Sequence, residues 1–85
     1  MTEEEIKRTA QELLKRPYVM VIRGDPTDGY LAKSPELPGW FTAGETPEEA
    51  LELLRDAMAL WFESMLETGD SIPEPEAWSE ARKAG

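Results

Sequence analysis

The segment of residues 29–51 constrains the fold of this chain more than any other, because it alternates strand-like runs with residues that end strands. It reads GYLAKSPELPGWFTAGETPEEAL. Residues 30–34 and 40–43 are typical of short strands. The Pro-Glu-Leu-Pro-Gly sequence between them cannot continue a strand, since proline has no N–H donor. Gly44 ends the second run, so the segment predicts two strands separated by a proline-rich turn.

A long helix is predicted directly after this segment. Thr46 is a good N-cap, Pro47 suits the first helical position, and Glu49 completes a capping box. The helix is expected to reach about residue 67, with Gly69 as its C-cap. Its apolar face should cover a three-stranded sheet, and three further apolar residues widen that face. The face consists of Leu51, Leu54, Met58, Trp61, Phe62 and Met65, and the widening residues are Leu53, Ala57 and Leu60.

The remaining segments complete an α+β prediction. Residues 2–16 predict a short N-terminal helix that begins with a capping box. The apolar run of residues 18–22 predicts a central strand covered on both faces, and the turn formers of residues 24–29 join it to the next strand as an antiparallel hairpin. Residues 72–75 should be extended, as a short edge strand, and residues 76–83 should form a helix anchored by Trp78. The predicted order is helix, three antiparallel strands, one long helix packed across the sheet, and a short strand or helix extension.

The composition argues for one domain without catalysis. The chain has 85 residues and neither histidine nor cysteine, which removes the commonest general base, nucleophile pairs and zinc ligands. Asp25 and Asp28 share one turn and are interpreted as turn residues rather than as metal ligands. We therefore expect no enzyme activity, no metal and no cofactor. No apolar run approaches the roughly 18–20 residues of a membrane span, so we expect no membrane partner and a cytoplasmic location.

The acidic residues are concentrated in one part of the chain. The net charge is −9, and residues 45–70 hold eight acids against Arg55 alone, a charge of −7. Such a surface repels phosphate backbones, so direct nucleic-acid binding is not expected. It would attract a basic protein. A solvated helix face without any partner explains the same pattern equally well.

The order and spacing of five short motifs resemble the HicB-like family, the antitoxin half of the HicA/HicB toxin–antitoxin modules. The motifs are YVMVI at residues 18–22, Gly-Tyr at 29–30, PELPG at 35–39, GETPEEA at 44–50 and the Gly-x-x-Ile-Pro-x-Pro pattern at 69–75. The resemblance covers residues 18–75. It implies one HicB-like domain, residues 1–85, with a core of about 18–75 and an N-terminal helical extension of 1–17. It also implies a partial ribonuclease H-like fold, although the predicted strand interiors lack the acids of that enzyme's catalytic cluster.

Three features depart from the family pattern. Trp40 stands where the family often has cysteine, and a helix-like segment precedes the first strand. The chain also ends ten residues after Pro75, where many HicB proteins continue into a DNA-binding domain. The last departure implies that this chain does not bind DNA by itself.

The resemblance implies that the chain neutralises a small basic RNA-cleaving toxin (HicA-like) by covering its active surface. Charge and expected exposure select the candidate contact residues, which are Tyr30, Glu36, Leu37, Trp40, Glu45, Glu49, Glu52 and Asp56. Trp40 and Phe41 should lie on opposite faces of their strand, one in the core and the other on the far face, which would bury both. An aromatic residue presented to a partner is the other interpretation.

An alternative is an orphan HicB-like domain that self-associates and has a regulatory or small-molecule-binding role without a toxin. In either case the small core, the wide apolar helix face and three tryptophans predict a homodimer or a tetramer.

Overall fold

One antiparallel sheet and two helices make up the fold. The computed structural model describes residues 1–37 and 40–75. The elements are α1 (Glu3–Leu13), β1 (Val21–Asp25), β2 (Gly29–Lys33), β3 (Thr42–Gly44) and α2 (Pro47–Thr68). The strand order is β1-β2-β3. Helix α2 packs on one face of the sheet, mainly over β2 and β3, and α1 packs against α2. The predicted α+β fold class is confirmed.

Local sequence signals determine where the long helix begins and ends. The hydroxyl of Thr46 accepts a hydrogen bond from the N–H of Glu49 at 3.1 Å, as an N-cap side chain should. Gly69 ends the helix in the left-handed conformation (φ 76°) that glycine adopts without a Cβ clash. Thr2 caps α1 in the same way through the N–H of Glu5, at 3.2 Å. Both predicted helix starts are confirmed.

The core lies between α2 and the central strand. The largest fully buried side chains are Leu54, Met58 and Phe62 of α2, which cover the fully buried Ala32 of β2. Burial of each such apolar side chain stabilises the fold by roughly 1.5–3 kcal/mol. Helix α1 adds Ala10, Leu13 and Leu14 to the same cluster.

Close backbone packing brings β3 against the start of α2. A Cβ on Gly44 would lie 2.6 Å from the backbone nitrogen of Ala50, so only glycine lets the strand approach so closely. The Thr42 hydroxyl donates to the carbonyl oxygen of Ala50 at 2.8 Å. These contacts fix the orientation of the first turns of α2 relative to the sheet.

The prediction of a central first strand at residues 18–22 is wrong. Strand β1 begins at Val21 and lies at the edge of the sheet, where its last four residues are exposed. The apolar run has a different cause: Tyr18 turns into the core, where its ring packs on Phe62 at a centroid distance of 5.5 Å. The central strand is β2, because both of its neighbours pair with it.

The other boundaries shift by small amounts. Strand β3 comprises Thr42–Gly44 rather than residues 40–43. Residues 72–75 form no strand; they are tied to the core instead, since the Tyr18 hydroxyl donates to the carbonyl oxygen of Pro73 at 2.5 Å. The helix predicted at residues 76–83, with Trp78, lies outside the described residues. The single-domain division of the chain stays a prediction.

Replacing Tyr18 by phenylalanine should change how stability depends on pH. Burial raises the pKa of Tyr18 above its ordinary value of 10.0, against a smaller opposing effect of Arg16. Between the unfolded and folded pKa values the unfolded chain has lost more protons, so the free energy of unfolding falls as pH rises above about 10. The free energy of unfolding of Tyr18→Phe should lack this part of the decline. At neutral pH it should be about 1 kcal/mol lower than that of the natural chain, because the hydrogen bond of the hydroxyl is lost. Urea unfolding from pH 7 to 11 measures both, and parallel curves for the two proteins would contradict the assignment.

Candidate partner-binding surface

The solvent face of α2 combines carboxylates with two exposed leucines. Leu53 and Leu60 are 43% and 67% exposed. Exposed acids occupy the same face at helical spacings. We define the acidic α2 face as Glu49, Glu52, Leu53, Asp56, Leu60 and Glu67. The face lies opposite the buried stripe of Leu54, Met58 and Phe62, so it points away from the sheet.

The carboxylates of this face form no ion pair within residues 1–37 and 40–75. Ion pairs among the described residues join Lys7 to Glu3, Lys15 to Glu12 and Arg16 to Glu74, and none of them involves α2. The Glu49 carboxylate accepts one backbone hydrogen bond, from the N–H of Glu45 at 3.2 Å. The negative charge of α2 is therefore available to a partner.

The structure brings three of the candidate contact residues together around Gly44. Tyr30 pairs with Gly44 across the sheet. A Cβ on Gly44 would lie 3.0 Å from the Cβ of Glu49, and Glu45 follows Gly44 directly and bonds to Glu49. Glu45 and Glu49 thus lie at one end of the acidic α2 face, which continues along the helix through Glu52 and Asp56. The backbone of Tyr30 lies beside them, but its ring is partly buried against the core cluster.

The other three candidates lie in or against the core. Leu37 is buried, and Trp40 is half-buried and packs on the core cluster. The carboxylate of Glu36 accepts a hydrogen bond from the N–H of Val19 at 2.7 Å. These contacts give all three a structural role beside the proposed one. The exposed fraction of Trp40 is the part that remains for a partner.

A second exposed surface lies on the sheet face away from α2. It consists of Val21, Arg23, Leu31, Lys33 and Phe41, which line one shallow hollow, and we call it the outer sheet face. Phe41 is 63% exposed, whereas the neighbouring Trp40 packs on the core, so the predicted alternation is confirmed. The expected burial of both aromatic rings is wrong, because no element among the described residues covers this face.

Residues 1–37 and 40–75 contain neither a candidate metal site nor a candidate membrane span. No group of three or more acidic, histidine or cysteine side chains is placed to hold a metal ion there. No helix of this part of the chain has the length and apolarity needed to cross a bilayer.

Comparison with known proteins assigns the chain to a family. The family model described as "HicB_like antitoxin of bacterial toxin-antitoxin system" matches residues 18–84. The chain belongs to the HicB-like antitoxin family. This membership supports an antitoxin role in general.

Three similar proteins differ in how much of their length this HicB-like chain spans. It is 35% identical to the UPF0150 protein Ta0767 of Thermoplasma acidophilum over 60 residues, which cover 71% of this chain and 87% of that protein. It is 43% identical to "Antitoxin HicB 1" of Photorhabdus laumondii over 47 residues, which cover 55% of this chain and 30% of that antitoxin. An uncharacterized 14.9 kDa protein of Haemophilus phage HP1 is 38% identical over 47 residues, 55% of this chain and 35% of the phage protein. No solved structure matches the chain significantly.

Removing the Glu36 carboxylate should destabilise this HicB-like fold, unlike removal of an acid from α2. Glu36→Ala leaves the partly buried N–H of Val19 without its acceptor, which costs about 1–3 kcal/mol. Glu52→Ala, the matched control on the acidic α2 face, should change the free energy of unfolding by less than about 0.5 kcal/mol. Chemical denaturation measures both variants. Equal stabilities would show that the Glu36 contact is not important for the fold.

Proposed function

We propose that this chain neutralises a small basic RNA-cleaving toxin, of the HicA-like kind, by covering the toxin's active surface. The observation that carries the proposal is the acidic α2 face, an unneutralised row of carboxylates around Leu53 and Leu60. Membership of the HicB-like antitoxin family supports it independently.

Charge explains how such a surface would find its partner. A protein that holds RNA needs cations where the phosphates bind. A complementary row of carboxylates raises the rate of encounter and fixes the orientation of the two proteins. The antitoxin would then occupy the position of the RNA backbone, so inhibition would be by occlusion.

The two leucines would supply the part of the affinity that does not depend on salt. Apolar contacts at the centre of an interface carry much of its binding energy, while charged residues at the rim chiefly affect rate and specificity. Leu53 and Leu60 lie between the carboxylates of the acidic α2 face, which matches that arrangement. Tyr30, Trp40, Glu36 and Leu37 are proposed as secondary contacts outside the acidic α2 face.

The alternative function is that of an orphan HicB-like domain that self-associates and acts without a toxin. The exposed apolar residues of the outer sheet face favour this alternative, because a toxin held on α2 would leave them uncovered. We also propose self-association, as a dimer or a pair of dimers, for either function. The neighbouring reading frame discriminates the two functions: a gene for a small basic protein is expected for an antitoxin.

Charge reversal on the acidic α2 face should weaken toxin binding. Glu49→Lys combined with Asp56→Lys changes the charge by four units on that face, and we expect at least a tenfold loss of affinity, since close charge pairs at interfaces couple by about 1.5 kcal/mol or more. Glu4→Lys combined with Glu12→Lys makes the same change at exposed positions of α1 and should change the affinity by less than about threefold. Calorimetric titration with the basic protein encoded beside this gene measures both. Equal affinities for the two variants would place the toxin contact elsewhere.

This chain should not bind DNA by itself. Its net charge of −9 gives the nonspecific electrostatic contribution to DNA affinity the wrong sign. Fluorescence anisotropy with a labelled duplex from its own upstream region, at about 100 mM salt, should show no saturable binding below roughly 10 μM. Binding in that range would mean that local basic residues outweigh the overall charge.

A further inference from the structure

Strand β1 exposes apolar side chains on both faces of the sheet. Ile22 pairs with the buried Ala32, so its side chain lies on the side of the sheet that α2 covers. It is nevertheless 38% exposed, because α2 barely reaches β1. Val21 belongs to the outer sheet face. An apolar strand that neither layer covers is unusual in a chain with few apolar residues to spare.

In the described part of the chain, the backbone of β1 is also unpaired along one edge. Among the described residues β1 pairs with β2 alone. Native proteins protect such edges with proline, inward-pointing charges or bulges, since the free N–H and C=O groups can pair with another chain. Strand β1 (Val-Ile-Arg-Gly-Asp) contains no proline. Its first two residues are therefore available for pairing.

The local charge favours a second copy of this chain as the occupant. Two molecules of net charge −9 repel each other, and contact through α2 would bring their acids together. The charges around β1 nearly cancel, because Lys15 and Arg16 form ion pairs with Glu12 and Glu74. Within β1, Arg23 is offset by Asp25. Two copies therefore meet with the least repulsion along β1.

We propose that β1 pairs antiparallel with β1 of a second copy, across a two-fold axis at Ile22, to form one continuous six-stranded sheet. An antiparallel pair of identical strands is self-complementary, as a two-fold interface requires. The proposal rests on the self-association proposed above and not on toxin binding.

The position of the two-fold axis along β1 sets the register of the two strands. Axes at the neighbouring residues are unfavourable. An axis at Arg23 would place two guanidinium groups directly opposite each other, which is unfavourable. An axis at Gly24 would set Ile22 against Pro26, which has no N–H to donate. An axis at Val21 would pair Tyr18 with Gly24, and the N–H of Tyr18 is already bonded to the carbonyl oxygen of Arg16.

The axis at Ile22 gives a favourable set of pairs. The two Ile22 side chains would lie opposite each other and cover their exposed surface. Val21 would face the aliphatic stem of Arg23 on the outer sheet face, where long basic side chains can cover apolar neighbours.

Cysteine cross-linking tests this register, because the natural chain has no cysteine. Ile22→Cys should form a disulfide-linked dimer under mild oxidation at low micromolar concentration, since directly opposite residues have Cβ atoms about 4.5–5.5 Å apart. Phe41→Cys on the outer sheet face and Leu60→Cys on the acidic α2 face are the controls and should stay monomeric on non-reducing gels. Faster cross-linking of Phe41→Cys or Leu60→Cys than of Ile22→Cys would overturn the proposal.

Sedimentation of charged variants gives an independent result. Ile22→Lys places two like charges at the axis and should convert the wild-type dimer to a 9.6 kDa monomer, whereas Phe41→Lys should remain dimeric. Circular dichroism checks that both are folded. A dimeric Ile22→Lys would refute the location while leaving self-association intact, and a monomeric wild type would refute both. Neither experiment requires a toxin, so failure of the toxin proposal is measured separately.

Discussion

The packing of one helix over part of a three-stranded sheet determines most of this structure. The apolar stripe of Leu54, Met58 and Phe62 covers the central strand β2 and the short strand β3. A single helix is about 10–12 Å wide with its side chains. Three strands spaced roughly 4.8 Å apart form a wider sheet, so one helix cannot cover all of it. The position of α2 over β2 and β3 therefore leaves β1 without cover, and the sheet's second face has no layer among the described residues.

The same packing separates surfaces of different chemistry. Because one face of α2 is buried, its acids must project from the opposite face, where they are solvated and repel anions. The basic residues Arg23 and Lys33 each follow a residue whose side chain is on the α2 side of the sheet, Ile22 and Ala32, and so fall on the outer sheet face. A basic partner is attracted to α2 and repelled by the outer sheet face. A partner on α2 and a second copy on β1 would not compete for the same residues.

Local signals predicted the helices well and the tertiary surroundings poorly. The caps at Thr46 and Gly69 depend on residues within one turn, so the bounds of α2 could be predicted to within one residue. The position of the apolar run before Val21 could not be predicted in this way. Whether such a run forms a central strand or turns into the core depends on distant residues such as Phe62. Glu36 was predicted as a surface residue from its turn-like surroundings, and its bond to the Val19 N–H, across the fold, has no sequence signal. Leu53 and Leu60 were predicted as excess apolar surface, but only the helix orientation shows them among the acids.

Helix α1 explains how this small chain completes its core. The family model begins at residue 18, so α1 lies outside the matched region, yet Ala10, Leu13 and Leu14 belong to the same buried cluster as α2. A domain of this size buries only about 60–65% of its unfolded surface and gains much from any further cover. Helix α1 covers a flank of α2 that the sheet does not reach. With that flank occupied, the described part of the chain has three exposed surfaces of distinctive chemistry: the acidic α2 face, the outer sheet face and the edge of β1. The toxin is proposed on the first of these and a second copy of the chain on the last.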